Sequence, residues 1–290
     1  MANIRRENIT SPRIEELRTK RKKSRLRLVV LLFILLISVI LGLYYVSSYH
    51  RFTIHSIVVD GTSIINQDDV MGIVESNLTG RYLHIFARSN TLIYPKSHIY
   101  NALIKTFPRI ENLSIYRDNW NTLHITILER SGSYLYCGVT VPDVKENIGE
   151  NCYFMNNDGY IFDTAPYFSG NVYFKFYAPV SNTNQILGQQ MISKEHFHGL
   201  VRFIDTVISS DFKPIYLLLS NTDDELYLNN INGATMPKII FKDDADIESI
   251  VSNLSTAMSK SQFAQEIKDK YSTLLYIDLR FKNKVLYKFQ

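Results

Sequence analysis

The sequence predicts an α+β protein hung on a single N-terminal transmembrane helix. A small strand-helix-helix-strand-strand domain follows the helix, and then a mostly antiparallel β domain with flanking helices. Three observations predict this. One uncharged run of helix length stands near the N-terminus. Beyond it, hydrophobic spacing switches repeatedly between the two-residue period of strands and the 3.6-residue period of helices. Finally, the basic surplus lies almost wholly in front of the apolar run.

The chain has 290 residues and a formal charge of +4. Ten bases (Arg5, Arg6, Arg13, Arg18, Lys20, Arg21, Lys22, Lys23, Arg25 and Arg27) precede Leu28, against Glu7, Glu15 and Glu16. The rest carries 22 bases and 25 acids, so no electrostatic footprint for nucleic acid remains. Hydrophobic content of 46% and aromatic content of 12% indicate packed domains rather than disorder.

Residues 1–27 form the basic tail and 28–49 the spanning helix. From Leu28 to Tyr49 no residue is charged. As a helix that run rises ~33 Å, enough for a hydrocarbon core of about 30 Å. Tyr44, Tyr45 and Tyr49 cluster near its end, at the level where aromatic rings meet headgroups. The positive flank keeps the tail cytoplasmic and sends residue 50 onward across the membrane. A cleaved signal peptide is the alternative, but the run is too long and Tyr44-Tyr45-Val46-Ser47-Ser48 is a poor cleavage site. The tail serves topology, with anionic lipid or a cytoplasmic partner as the other option.

Residues 50–130 form the first exported domain. Phe52–Ile54 and Ile57–Val59 read as one strand with a slip in its alternation, ending at Asp60-Gly61. Asn66-Gln67-Asp68-Asp69 opens a helix with Val70, Ile73, Val74 and Leu78 on one stripe, and Gly80 ends it. A second helix runs from about Pro95 to Thr106 with Ile99, Leu103, Ile104 and Phe107 aligned. A hairpin follows: Leu113, Ile115 and Arg117 alternate, then Leu123, Ile125 and Ile127, around the turn Asp118-Asn119-Trp120-Asn121.

Residues 131–290 form the second domain. Strands are expected at Tyr134–Tyr136, Cys152–Met155, Tyr160–Phe162 and Val172–Tyr177, the middle pair joined by Asn156-Asn157-Asp158-Gly159. Ser193 caps a helix reaching about Ile208. Ile215–Leu219, Glu225–Leu228 and Lys238–Phe241 form a meander turning at Asn221-Thr222-Asp223-Asp224 and Asn232-Gly233. A helix starts near Asp246, a shorter one passes through Phe263 and Ile267, and strands at Leu274–Phe281 and Val285–Phe289 flank Lys282-Asn283-Lys284.

Both cysteines, Cys137 and Cys152, lie in the exported part. An oxidising compartment permits a disulfide closing a loop of about 15 residues, a staple of roughly 3 kcal/mol. Two free thiols are the alternative; no CxxC spacing suggests zinc.

This ordered set resembles the bacterial cell-division family FtsQ, also called DivIB. The resemblance rests on Phe52 to Gly61, on Phe107-Pro108-Arg109-Ile110, and on Arg117, Trp120 and Glu129-Arg130. It rests further on Asn157-Asp158-Gly159-Tyr160-Ile161-Phe162 and, most specifically, on Ile277-Asp278-Leu279-Arg280-Phe281. Asn121 departs from the family's Pro after Trp, and the cysteines are not a general family feature. The resemblance implies a POTRA domain over 50–130 and a β domain over 131–290. It implies a bitopic divisome scaffold in the plasma membrane at the septum, not an enzyme, that helps control septal cell-wall synthesis. Partners would be other bitopic division proteins, FtsB- and FtsL-like, at the C-terminal strand, and further septal proteins at the POTRA domain. Within the family motif Arg280 and Phe281 correspond to partner-contact residues. A terminal strand is an open sheet edge to which a partner strand can add. Val285, Tyr287 and Phe289 would face one side and Leu286 and Lys288 the other. Phe281 as core, and Asp278–Arg280 as an internal ion pair, are the competing readings.

No phosphate loop, HExxH or GxSxG occurs. His196 and His198 stand at i,i+2 on a helix and point apart. The acids Asp243, Asp244, Asp246 and Glu248 suit a helix start better than calcium, lacking the EF-hand Gly and final Glu. No metal, cofactor, small-molecule substrate or nucleic acid is expected. The competing function classes are a membrane-anchored envelope enzyme, sortase- or peptidase-like, and a POTRA-bearing outer-membrane assembly factor. The first lacks a nucleophile with a base; the second needs a long barrel for which too little chain remains.

Overall fold

The computed structural model describes residues 12–142, 151–229, 236–282 and 284–290, with side chains from residue 21 onward. Residues 143–150 of the loop between the two cysteines, the turn Asn232-Gly233, Asn283 and the first eleven tail residues lie outside the described residues. The chain is mixed α+β and divides into two compact units. The first comprises residues up to 62, 66–103 and 113–126. The second comprises 63–65, 104–112 and 127–290. A single cut at residue 130 does not anticipate the grouping of 63–65 and 104–112 with the second unit.

Helix α1 (Pro12–Ser47) carries the apolar run, and its stretch Arg21–Ser47 is long and apolar enough to cross a membrane. The helix stops at Ser47, so Tyr49 stands beyond it. The strand expected over Phe52–Ile54 is absent. A 3₁₀ turn (His50–Phe52) takes its place, because Phe52 N–H donates to Tyr49 O and the Thr53 hydroxyl donates to His50 O. In the first unit β1 (Ser56–Asp60) precedes α2 (Gln67–Leu78), which the Asn66 side chain caps by accepting from Asp68 N–H. Two short strands that no period announces, β2 (Arg81–Tyr82) and β3 (Phe86–Ala87), pair before α3 (Lys96–Thr106). Then come β4 (Ile110–Arg117) and β5 (Thr122–Glu129), giving a sheet ordered β1-β5-β4 with β1 parallel to β5. Val70, Val74, Ile99, Leu103, Leu123 and Ile125 are fully buried, as their stripes and alternation require.

The second unit holds a ten-stranded sheet. Its strands are β6 (Tyr134–Tyr136), β7 (Tyr153–Met155), β8 (Tyr160–Thr164), β9 (Lys175–Tyr177) and β10 (Gln189–Gln190). After α4 (Lys194–Ser209) come β11 (Pro214–Leu218), β12 (Asp223–Leu228) and β13 (Lys238–Lys242). Helices α5 (Ile247–Ser259) and α6 (Ser261–Asp269) precede β14 (Leu274–Asp278) and β15 (Leu286–Phe289). The order is β10-β8-β7-β6-β9-β11-β12-β13-β14-β15, mostly antiparallel, with parallel pairs at β6–β9, β9–β11 and β13–β14. The strand expected from Val172 is shorter, Lys175–Tyr177.

Alternation gives the sheet two covered faces. On one, Tyr136, Phe176, Leu217, Leu226 and Leu228 pack with Phe197, Leu200, Phe203 and Val207 of α4 and with α5. Each such burial contributes roughly 1.5–3 kcal/mol before chain entropy is set against it. On the other, Leu135, Tyr177 and Tyr216 pack with Cys137 and Cys152. The two sulfurs are bonded, next to the register pair Tyr136–Tyr153, so the disulfide extends the β6–β7 ladder by one rung.

Candidate partner-binding edge

The sheet's last three strands assemble the sequence-predicted site. β14 runs parallel to β13 and antiparallel to β15, with Ile277 opposite Tyr287 and Asp278 opposite Leu286. Among the described residues no strand pairs with the outer side of β15, so its outer backbone groups form an unpaired ladder.

Arg280 is committed inward. Its Nε and Nη2 donate to the two Asp278 carboxylate oxygens at 3.0 and 2.6 Å, and Nη1 donates to Asp223 Oδ2 at 2.8 Å. Its backbone N–H donates to Asp278 Oδ1 as well. Burial alone would push the Asp278 carboxyl up, since the residue is only 3% exposed. The Arg280 guanidinium and N–H outweigh it and hold that carboxyl below the usual range. Arg280 therefore acts as a clamp between the end of β14 and the start of β12. Neighbouring Asp224 has no such partner. It is buried, accepts from Ser220 N–H, and burial together with Asp243 and Asp223 raises its pKa to about 6.

Phe281 is exposed rather than core, at the lip of an open groove of about 930 Å³ lined also by Lys242, Asp246, Ser249, Asn253 and Leu279. On β15 the predicted division of faces is present. Val285 and Phe289 are half-buried against the core; Tyr287 stacks edge-on with Phe263 and Phe289 at 5.1 and 5.5 Å. Its hydroxyl donates to Glu266 Oε2 at 2.9 Å, and the Lys270 ammonium lies 5.3 Å from the Phe289 ring. The opposite face presents Leu286, 46% exposed, and Lys288. Leu286, which alternation places opposite Tyr287, is thus the more exposed of the two beside the open edge.

The other singled-out residues take structural positions. Asp246 stands at the N-cap position of α5, its carboxylate accepting from the Ser249 hydroxyl. His198 and Lys194 both reach Asp158 of the β7–β8 turn, at 3.0 and 2.9 Å. Trp120 is exposed on one side and meets Phe52 edge-on at 5.6 Å. Asn121, the departure from Pro, donates from Nδ2 to His50 O and Thr53 O, a role proline cannot fill. Glu129 accepts from Ser63, Ile64 and Ile65 N–H, while Arg109 pairs with Asp163 at 2.5 Å. Among the described residues no cluster of three His, Cys, Asp or Glu is arranged to hold a metal. No protein-family model matches the chain, and no curated protein is similar to it.

Proposed function

We propose that this chain is a non-catalytic scaffold of the bacterial division machinery, FtsQ/DivIB-like, anchored in the plasma membrane and acting outside it. In this reading the first exported unit is a POTRA domain that contacts further septal proteins. The second captures FtsB- and FtsL-like bitopic partners by adding a partner strand to β15. The septum is its place of work, and control of septal wall synthesis its output.

One observation carries the reading: the unpaired outer edge of β15, with Leu286 and Tyr287 exposed beside it. Strand addition gains affinity from main-chain hydrogen bonds and selectivity from alternate side chains. The clamp at Arg280 keeps β14, and thus β15, in register for such a guest. The ordered motif set and the order of the first unit, which is strand-helix-helix-strand-strand apart from the short β2–β3 pair between its helices, support the family reading.

The test is co-purification of the full chain with the FtsB–FtsL pair of its host. Leu286→Glu, which leaves the core untouched, is expected to weaken capture at least ~10-fold, the scale of a hot-spot loss of about 1.4 kcal/mol or more. Truncation after Asp278 is expected to abolish it. Undiminished capture by both variants overturns the edge mechanism, and a fluorescent fusion spread evenly over the envelope, with no midcell band, overturns the divisional role.

A further inference from the structure

The β2–β3 hairpin carries a conformational oddity. Leu83 (φ 49°) and His84 (φ 62°) both sit in the left-handed region, which suits glycine or asparagine and strains a leucine. Leu83 is also 81% exposed, the most exposed of the large apolar side chains described. A strained, solvent-facing leucine at a two-by-two-residue hairpin tip contributes nothing to the core. Retained strain of this kind points to a role outside folding.

The place of the hairpin supplies the role. The hairpin and Asn90 just after it are tied to the end of α1 and the following Ser48 by four contacts. Ala87 N–H donates to Ser47 Oγ at 3.0 Å, and Asn90 Nδ2 donates to Ser47 O at 3.0 Å. Arg81 Nη1 donates to Ser48 Oγ at 2.8 Å, and the Arg81 guanidinium lies 4.4 Å from the centre of the Tyr44 ring. From Leu28 to Tyr44 a helix rises ~24 Å, less than the roughly 30 Å of a hydrocarbon core. With Arg27 held at the inner interface, Tyr44 therefore lies about 6 Å short of the outer hydrocarbon boundary, and Ser48, four residues on, reaches it. Arg81, which stacks on the Tyr44 ring and donates to Ser48, lies at the border with the headgroups. Leu83 stands two residues further along, within ~7 Å. Leu92 and Ile93, also exposed, follow immediately after Asn90, the other tether.

Charge agrees with this placement. From Ser76 to Ile110 no acidic residue occurs, in an exported part that is otherwise acid-leaning. Arg81 and Arg88 each lie over a tyrosine ring, Tyr44 and Tyr82, the pairing of aromatic and cation found where headgroup phosphates meet protein.

We propose that the β2–β3 tip and residues 92–93 form a lipid-contacting foot: Leu83, Leu92 and Ile93 enter the outer headgroup layer while Arg81 and Arg88 engage lipid phosphates. The foot fixes the height of the first unit above the bilayer. The inference rests on α1 crossing that bilayer.

The test uses the full chain, whose two native cysteines are bonded to each other, reconstituted alone into phosphatidylglycerol–phosphatidylcholine vesicles. An environment-sensitive fluorophore is placed at Leu83→Cys, Leu92→Cys, Val39→Cys midway along the apolar run of α1, or Gln67→Cys at the start of α2. Headgroup-region nitroxide lipid is expected to quench the labels at 83 and 92 at least twofold more than that at 67, and mid-bilayer nitroxide to quench the label at 39. Quenching at 39 with 83 and 92 no different from 67 overturns the foot alone, and leaves those apolar residues to a protein partner absent from the vesicles. No quenching at 39 removes the membrane-crossing premise and the foot with it.

Discussion

At one edge of the large sheet β10 contributes two residues, Gln189 and Gln190; at the other β15 contributes four, two of them large and exposed. The glutamine edge is closed by its own side chains. Gln189 Nε2 donates to Asn182 O and Gln185 O, its Oε1 accepts from Asn182 N–H, and Gln190 Nε2 donates to Asp158 O. The β15 edge has no such local cover among the described residues. Its inner face is braced by Phe263, Glu266 and Lys270, while its outer ladder stays open. Short length and polar caps are how sheets blunt an edge they do not use. A longer edge, braced from behind and left unpaired in front, is open to the strand addition proposed above. Lys288 in its middle discourages indiscriminate pairing without closing it.

The largest effect on this contrast is expected at the clamp. Arg280→Ala leaves the buried Asp278 carboxylate facing Asp223 with no counter-charge. A fully buried pair broken this way loses 3–5 kcal/mol; with Arg280 one-third exposed, about 2–3 kcal/mol is expected. Urea unfolding of the chain beyond α1 measures it, and the proposed partner capture should fall in parallel because β15 loses its register. A destabilised variant that still captures its partner at full strength would separate the edge from its clamp.

A smaller effect of opposite sign is expected one residue from Asp223. The pKa of Asp224 is raised to about 6, so the folded state holds its proton longer than the unfolded chain, whose value is near 3.8. Its contribution is complete below about pH 4 and is lost as pH rises through 6. Asp224→Asn keeps the acceptor for Ser220 N–H and removes the charge. It should therefore stabilise by about 2 kcal/mol at pH 8, and the gain should fade by pH 4. Thermal unfolding across that range checks the sign; an equal gain at both ends would show that charge burial is not the cause.

How much of this was legible in the sequence depends on range. Helices α2 and α4 were readable because Asn66 and Ser193 cap them locally and apolar residues recur at helical spacing. The meander and the final hairpin were readable from alternation. Residues 50–54 misled: the alternation suggested a strand, but Asn121, some 70 residues away, captures His50 O and Thr53 O and bends the segment. β2, β3 and β10 are two residues each, too short to show any period. At the edge itself the split of β15 faces could be read, whereas the Arg280–Asp223 pair spans 57 residues and has no local signature. Short-range chemistry writes itself into spacing; long-range polar ties do not.

The smallest expected effect lies at the closed edge. Gln189→Ala removes three side-chain hydrogen bonds, but they sit near the surface where water can replace them, so the net loss should be about 1 kcal/mol. Amide hydrogen exchange should show faster opening at Asn182, and partner capture through β15 should be unchanged. The asymmetry between the edges makes this informative. If glutamine side chains are what keep β10 sealed, the variant opens a second unpaired edge, and self-association should rise with concentration in sedimentation experiments while partner binding holds. A variant that stays monomeric at all concentrations would mean that two residues are too few to template pairing, and that brevity alone, rather than the amide caps, seals that side of the sheet.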